Sequence, residues 1–315
     1  MSETQTGTGY THELLHFDTT ERLVDEVVPW LREASARGET VALACEDEKN
    51  RALLEALGDQ DRIVALPRAE IYQKAVTAVA YYRDFMRRHL GAGGQGVRLV
   101  GEVNFRTDSR AWDEWRRFEA LCNHALAPFP LWSVCAYDTR VLPDPVLATG
   151  ELTHPFLRRD GAPTANASYV DPAELLQLSD AAMQAAPDAE PAATFAGLID
   201  FTDLHTSLRT LLAGERLDAE RIEDVIIAVH EVTTNGLRHG APPVAVRIWL
   251  SPGRVICTVT DQGPGYDDPF AGYVRTGDDP LPEDGLGLWI ARQLCDELVT
   301  IRTPDGFTTR LLVRH

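Results

Sequence analysis

The segment Ser179 to Ala193, SDAAMQAAPDAEPAA, has no bulky apolar periodicity and no β-branched residue, and it separates two stretches whose element patterns call for different folds. It has the composition of a linker. Before it, short apolar runs alternate with helix-like stretches. Strands are expected over Thr40 to Cys45, Ile63 to Leu66, Val97 to Val100 and Leu131 to Ala136. Helices are expected over Glu21 to Ala36, Arg51 to Leu57, Ala75 to Leu90 and Ala111 to Leu126. Strand and helix in alternation imply a mainly parallel α/β sheet.

After the linker the order changes. A strand, Thr194 to Ile199, leads to a helix over Leu204 to Leu212 and a second over Ala219 to His239. A hairpin follows, Val244 to Leu250 and Val255 to Asp261, turned at Ser251-Pro252-Gly253. Next come an irregular stretch, a helix from Gly287 to about Leu298, and a closing hairpin, Val299 to Thr303 and Phe307 to Val313. Strands joined by tight turns make this second sheet mixed or antiparallel, with helices on one face: an α+β two-layer sandwich. The expected division is therefore residues 1–178, a linker over 179–193, and residues 194–315.

Net charge is -18, and no basic footprint is concentrated anywhere, which argues against direct binding of nucleic acid and leaves a protein partner the easier expectation. No run is long enough to cross a bilayer, and Met1 to Gly7 is polar, without the pattern of a signal peptide. A cytosolic protein without a membrane partner is expected. Lysine occurs only at Lys49 and Lys74, a bias to which the sequence attaches no mechanism. Several of the five cysteines lie in strand-like runs, and no C-x-x-C pair occurs. Buried thiols are expected, since a disulfide set or a zinc site would call for closer, paired spacing.

Three segments of the second part carry chemistry. In the helix over Ala219 to His239, Ile222, Ile226, Val229, Val232 and Thr233 form an apolar stripe, and Glu231 and Asn235 lie one turn apart on the other face. Asn235 can ligate a magnesium ion and Glu231 can accept a proton. Taken alone, the pair reads better as a solvated polar face. Asp261 ends a strand and is followed by Gly263 and Gly265; its carboxylate can accept a hydrogen bond from the exocyclic amine of adenine, and the glycines admit a flat ring. Asp284-Gly285-Leu286-Gly287 opens a helix whose N-terminal amides suit phosphates, and the loop from Tyr266 to Glu283 is placed to act as a lid. Together the three describe one ATP and Mg2+ site.

Residues 194 to 315 resemble the GHKL (Bergerat-fold) ATPase domain: Glu231 and Asn235 match its N box, Asp261, Gly263 and Gly265 its G1 box, and Gly285, Leu286 and Gly287 its G2 box. The compact form is similar to the anti-sigma-factor serine/threonine kinases. That resemblance implies a kinase that sequesters a sigma factor or phosphorylates an anti-sigma-factor antagonist, often as a homodimer, with Glu231 the candidate base. Two alternatives stay open: a sigma-sequestering module that keeps nucleotide as a structural ligand, and a sensor histidine kinase. The second is disfavoured, because the nearest acceptor candidate, His205, falls inside the ATPase domain itself.

The first part resembles the MEDS sensory domain, related to RecA-like and KaiC-like ATPases, through His12-Glu13-Leu14-Leu15, Val100-Gly101-Glu102-Val103-Asn104-Phe105, Phe118-Glu119-Ala120-Leu121-Cys122-Asn123, Ser133-Val134-Cys135-Ala136-Tyr137-Asp138 and Thr153-His154-Pro155. The resemblance implies a RecA-like fold. The first strand-to-helix junction, His16 to Arg22, has neither glycine nor lysine, so a phosphate loop is not expected there. Glu102, Asn104, Cys135, Tyr137, Asp138 and His154 are expected near the C-terminal edge of the sheet, either as a site for a small-molecule ligand or as core and strand-end residues.

Overall fold

A computed structural model describes residues 9–58, 62–103, 109–181, 187–274 and 286–315. The chain divides into two compact units, Met1–Leu175 and Leu176–His315.

Unit 1 is built on a seven-stranded sheet. In chain order its elements are β1 (Thr11–Phe17), α1 (Thr20–Ala36), β2 (Thr40–Ala44), α2 (Asp47–Leu57), β3 (Ile63–Ala65), α3 (Arg68–Ile71), α4 (Ala75–Gly91), β4 (Val97–Gly101), α5 (Ser109–Ala125), β5 (Leu131–Asp138), α6 (Asp144–Thr153), β6 (Phe156–Arg159) and β7 (Ala162–Ala165). The helix α7 (Pro172–Ala181) runs across the division. The strand order is β3-β2-β4-β5-β1-β6-β7, parallel throughout except for the β6–β7 hairpin.

The central strands are covered on both faces, so β2 and much of β4 and β5 are apolar and buried. Leu15, Phe17, Val41, Leu43, Val100, Val134 and Ala136 meet α1 and α2 on one face. Leu14, Cys135 and Tyr137, offset by one residue, meet Val146 of α6 on the other. The expected strands and helices are present, but the expectation contained no range for β1, which is central between β5 and β6. The cause is its polar content. Glu13 is buried and paired with Arg158 at 2.8 Å and with the indole of Trp132, so a residue that spoils the apolar pattern is satisfied only by distant partners.

Unit 2 holds a five-stranded antiparallel sheet, order β11-β12-β10-β9-β8. Its elements are β8 (Ala193–Ala196), α8 (Phe201–Leu212), α9 (Ala219–His239), β9 (Ala245–Ser251), β10 (Arg254–Asp261), α10 (Leu286–Leu294), β11 (Glu297–Thr303) and β12 (Gly306–Arg314). Asp200 and Asp218 cap α8 and α9, each carboxylate accepting from backbone N–H groups of the first turn. The core lies between the helices and one sheet face: Leu204, Leu208, Val225, Val229 and Val232 against Val246, Ile248, Val255, Cys257, Val259 and Leu311. The α+β reading of the sequence agrees with this arrangement. One boundary differs: α10 ends at Leu294, and Leu298, expected in the helix, sits in β11 opposite Leu311. A leucine satisfies either periodicity, and here strand pairing decides.

Among the described residues, no helix is long and apolar enough to cross a membrane.

Candidate nucleotide site

Along β10 the side chains of Val255, Cys257 and Val259 face the helices, and Asp261 occupies the next position of that face. A carboxylate thus stands at the rim of an apolar core, 6% exposed. Room for it exists because α9 carries no side chain at Gly236 and ends at Gly240, where a Cβ would overlap the Asp261 carboxylate. Asp261 Oδ1 accepts from the N–H of Gly263 (2.7 Å) and of Ala241 (3.3 Å). Oδ2 accepts from no described residue, so one oxygen is anchored and the other is left for a ligand.

Beside this carboxylate is a cavity of about 330 Å³, lined by Asn235, Gly236, Gly265, Leu288, Phe307 and Thr309 among others. Its volume falls at the small end of ligand pockets, the scale of a base and sugar. Val232, Val259, Leu288 and Phe307 give this cavity apolar walls beside Asp261. Tyr266 stands edge-on to Phe307, ring centroids 5.0 Å apart.

Gly265 and Gly263 lack side chains for different reasons. Gly265 lines the cavity at φ +64°, and a Cβ there would run into the Phe307 ring. Gly263 lies against protein rather than cavity: a Cβ would come within 2.7 Å of Asp261 Oδ1 and 2.8 Å of the Gly240 Cα. The Gly265→Ala variant should lose roughly 1–3 kcal/mol of stability, through left-handed backbone and the displaced ring, and should bind nucleotide more weakly. Thermal unfolding and a nucleotide titration read the two effects.

The third segment closes the site from α10. Gly287 lies so close to α9 that a Cβ would be 2.7 Å from Glu231 Oε2 and 3.3 Å from both terminal atoms of Asn235. Neither side chain hydrogen-bonds to a described residue, and the i, i+4 spacing points both toward the start of α10. Leu286 is the first residue of α10; Gly285 and Asp284 lie outside the described residues, as does the lid loop from Arg275 to Glu283. The first part of that loop is anchored by Arg292, which donates to the carbonyls of Ala271 and Leu298 and lies 3.7 Å from the Tyr273 ring centroid.

The structure therefore brings Glu231, Asn235, Asp261, Gly265 and Gly287 together. Phe307, Thr309 and Leu288 are additions that sequence reasoning did not name. Thr309 left a trace: it is the polar member of the series Phe307, Thr309, Leu311, Val313 on a core-facing strand. His205 is on α8, its Nε2 3.2 Å from Nδ1 of His230.

Residues 200–313 match the family model described as histidine kinase-like ATPase domain, and residues 11–155 match MEDS, the MEthanogen/methylotroph, DcmR Sensory domain. The chain carries a MEDS domain followed by a histidine kinase-like ATPase domain. It is similar to the serine-protein kinase RsbW of Bacillus pumilus (strain SAFR-032), 32% identical over 105 residues. The match takes in 29% of this chain and 64% of that relative. A crystal structure of the RsbU and RsbW domains of Rv1364c from Mycobacterium tuberculosis also matches, at 22% identity and TM-score 0.28, over 39% of this chain and 33% of that one.

In the MEDS domain the expected convergence of strand-end residues divides in two. Cys135, Tyr137 and His154 meet on one face of the sheet, together with His12 and Glu119. Asp138, next to Tyr137 on β5, turns to the other face and meets Glu102 at Lys49. Asn104 lies outside the described residues. Lys49, to which the sequence attached no mechanism, is 6% exposed, with Nζ 2.5 Å from Glu102, 3.2 Å from Glu46 and 3.7 Å from Asp138. Burial opposes its charge, but the hydrogen bond to Glu102 prevails and holds it above the usual ammonium range.

The Lys49→Met variant should lose about 2 kcal/mol in denaturant unfolding. That is below the 3–5 kcal/mol of a lone broken buried pair, since Asp138 keeps Arg140 and Glu102 keeps the Glu46 N–H.

Proposed function

We propose that the C-terminal domain binds ATP with Mg2+ and is a serine/threonine protein kinase acting on an anti-sigma-factor antagonist, controlled by the MEDS domain as sensor. The observation that supports this reading is the meeting of three segments at one cavity: Asp261 with one oxygen free, Asn235 at the wall, and Glu231 against the glycine that starts α10. The family match and the likeness to a serine-protein kinase point the same way.

In this reading Asp261 Oδ2 accepts from the adenine amine while Oδ1 stays on the Gly263 and Ala241 amides, which fixes the carboxylate plane. Gly265, Phe307 and Leu288 enclose the base, and Leu286 and Gly287 present the N-terminus of α10 to the phosphates. The Asn235 side-chain oxygen would hold Mg2+, which when bound neutralises charge on the transferred phosphoryl group. Glu231 takes the proton of the acceptor serine hydroxyl as its oxygen bonds to phosphorus and the bond to ADP breaks. The residues fit these roles, because the Asn235 amide oxygen is a hard ligand suited to Mg2+ and the Glu231 carboxylate stands one turn away on the same helix face.

Incubating the full chain with γ-labelled ATP, Mg2+ and candidate antagonist proteins tests the reading. Acid-stable label on a serine of the antagonist is the expected result. ATP-dependent complex formation without label would instead favour the sequestering module, and acid-labile label on the chain itself the histidine kinase. The Gly287→Ala variant is expected to keep its fold, because the displaced group is the flexible end of Glu231, and to lose at least about tenfold in transfer rate through that displacement. Equal melting temperatures with unequal rates would show this split.

A further inference from the structure

We propose that His12, Glu119, Cys135 and His154 of the MEDS domain form a four-ligand site for a divalent transition metal of the zinc type. The four side chains come from separate elements: His12 from β1, Glu119 from α5, Cys135 from β5, and His154 from the residue after α6. All are buried, and one ligand atom from each lies within 4.8 Å of the others.

Four of the six ligand-to-ligand distances are close to those of a coordination polyhedron, and the group as a whole lies within 4.8 Å. His12 Nε2 is 3.2 Å from Cys135 Sγ and 3.3 Å from Glu119 Oε2. Glu119 Oε2 is 3.6 Å from His154 Nε2 and 3.8 Å from Cys135 Sγ. Tetrahedral zinc, with bonds of about 2.0–2.1 Å to nitrogen and oxygen and about 2.3 Å to sulfur, requires ligand-to-ligand edges of roughly 3.3–3.7 Å.

The tautomers are set by groups outside the cluster. Asn123 donates through Nδ2 to the carbonyls of Thr153 (2.7 Å) and Glu119 (3.3 Å), which turns its Oδ1 toward His12 Nδ1 at 3.1 Å. An amide oxygen only accepts, so His12 Nδ1 carries the proton and Nε2 a lone pair. His154 Nδ1 is likewise 2.8 Å from the carbonyl of Gly150, which again leaves Nε2 a lone pair. Histidine ligands with Nδ1–H tied to a carbonyl or amide oxygen are the usual outer arrangement of a metal site.

Two lone pairs, a carboxylate oxygen and a sulfur therefore converge in a dry space. His154 Nε2 is itself buried without a hydrogen-bond partner. A divalent cation serves all four. Thiolate and carboxylate balance its two charges, and uptake releases the Cys135 proton together with any held by Glu119. Mixed nitrogen, sulfur and oxygen ligands suit Zn2+ and Co2+ over Mg2+ or Ca2+. With four protein ligands no position is left open, so the ion clamps β1, β5, α5 and the α6–β6 connection.

The test uses the full chain produced in minimal medium supplemented with Zn2+ or with Co2+. One metal ion per chain is expected by elemental analysis. The cobalt form should show the strong visible absorption of a four-coordinate ion and a thiolate-to-cobalt charge-transfer band. Cys135→Ser should remove that band and Cys257→Ser, in the other unit, should keep it; His154→Gln should weaken binding by at least about 100-fold. Chelation should lower the melting temperature of the wild-type chain, a readout that depends on no variant. A folded wild-type chain free of metal from both media would overturn the site. Metal retained undiminished in both Cys135→Ser and His154→Gln would do the same, as would a cobalt spectrum lacking the thiolate band.

Discussion

Replacing Glu231 by glutamine is expected to lower phosphotransfer by about 10²–10⁴-fold while nucleotide affinity changes by less than about threefold, the loss characteristic of a missing general base. The separation follows from where the residue sits. Glu231 faces Gly287 at the start of α10 and does not line the cavity that contains Asp261. Glutamine keeps its volume, so the helix contact survives and only the proton acceptor is lost. Single-turnover transfer to the antagonist, alongside equilibrium binding of labelled ATP, measures both quantities. Unchanged turnover in Glu231→Gln would remove it from the catalytic role.

The opposite pattern is expected at Asp261. In Asp261→Asn one atom of the former carboxylate becomes an N–H donor. If it takes the Oδ1 place it confronts the Gly263 and Ala241 amides; if it takes the Oδ2 place it confronts the adenine amine. Either way a donor faces a donor at a position only 6% exposed, where water does not relieve the mismatch. Loss of a charge-assisted hydrogen bond with the desolvation that follows should cost at least about 3 kcal/mol, on the order of 100-fold in Kd for ATP. Isothermal titration with ATP and with a nucleotide bearing a purine that lacks the amine discriminates the contact. Asp261→Asn should lose its penalty against the second ligand, and an equal penalty for both would place the effect elsewhere.

The ATPase domain was legible because its chemistry sits where local rules change. Asp261 is the residue at which an alternating strand gives way to glycines, and Gly287 is the first small residue of a helix with an apolar face. Such junctions are written in neighbouring residues. Phe307 was not legible, because a strand residue facing a cavity and one facing a core obey the same alternation, and Thr309 left only its polarity as a trace. The MEDS domain shows the reverse case. His12 and Glu13 in β1 weaken the signal of a central strand, and the hydrogen bonds and ion pair that accommodate them come from residues more than a hundred positions away. Spacing along the chain excluded a zinc site there. The fold produced His12, Glu119, Cys135 and His154 side by side from four elements.

By itself, then, the sequence determined the two kinds of sheet and marked the three segments that form the candidate nucleotide site, since these rest on periodicity and on residues adjacent in the chain. Tertiary structure alone decided which oxygen of Asp261 is free, that Gly263 meets backbone rather than cavity, and that Lys49 joins Glu46, Glu102 and Asp138. It also decided that His12, Glu119, Cys135 and His154 share one buried space. Burial and the hydrogen-bond partners that burial demands belong to contacts between elements, and no local pattern encodes which distant residue will supply them.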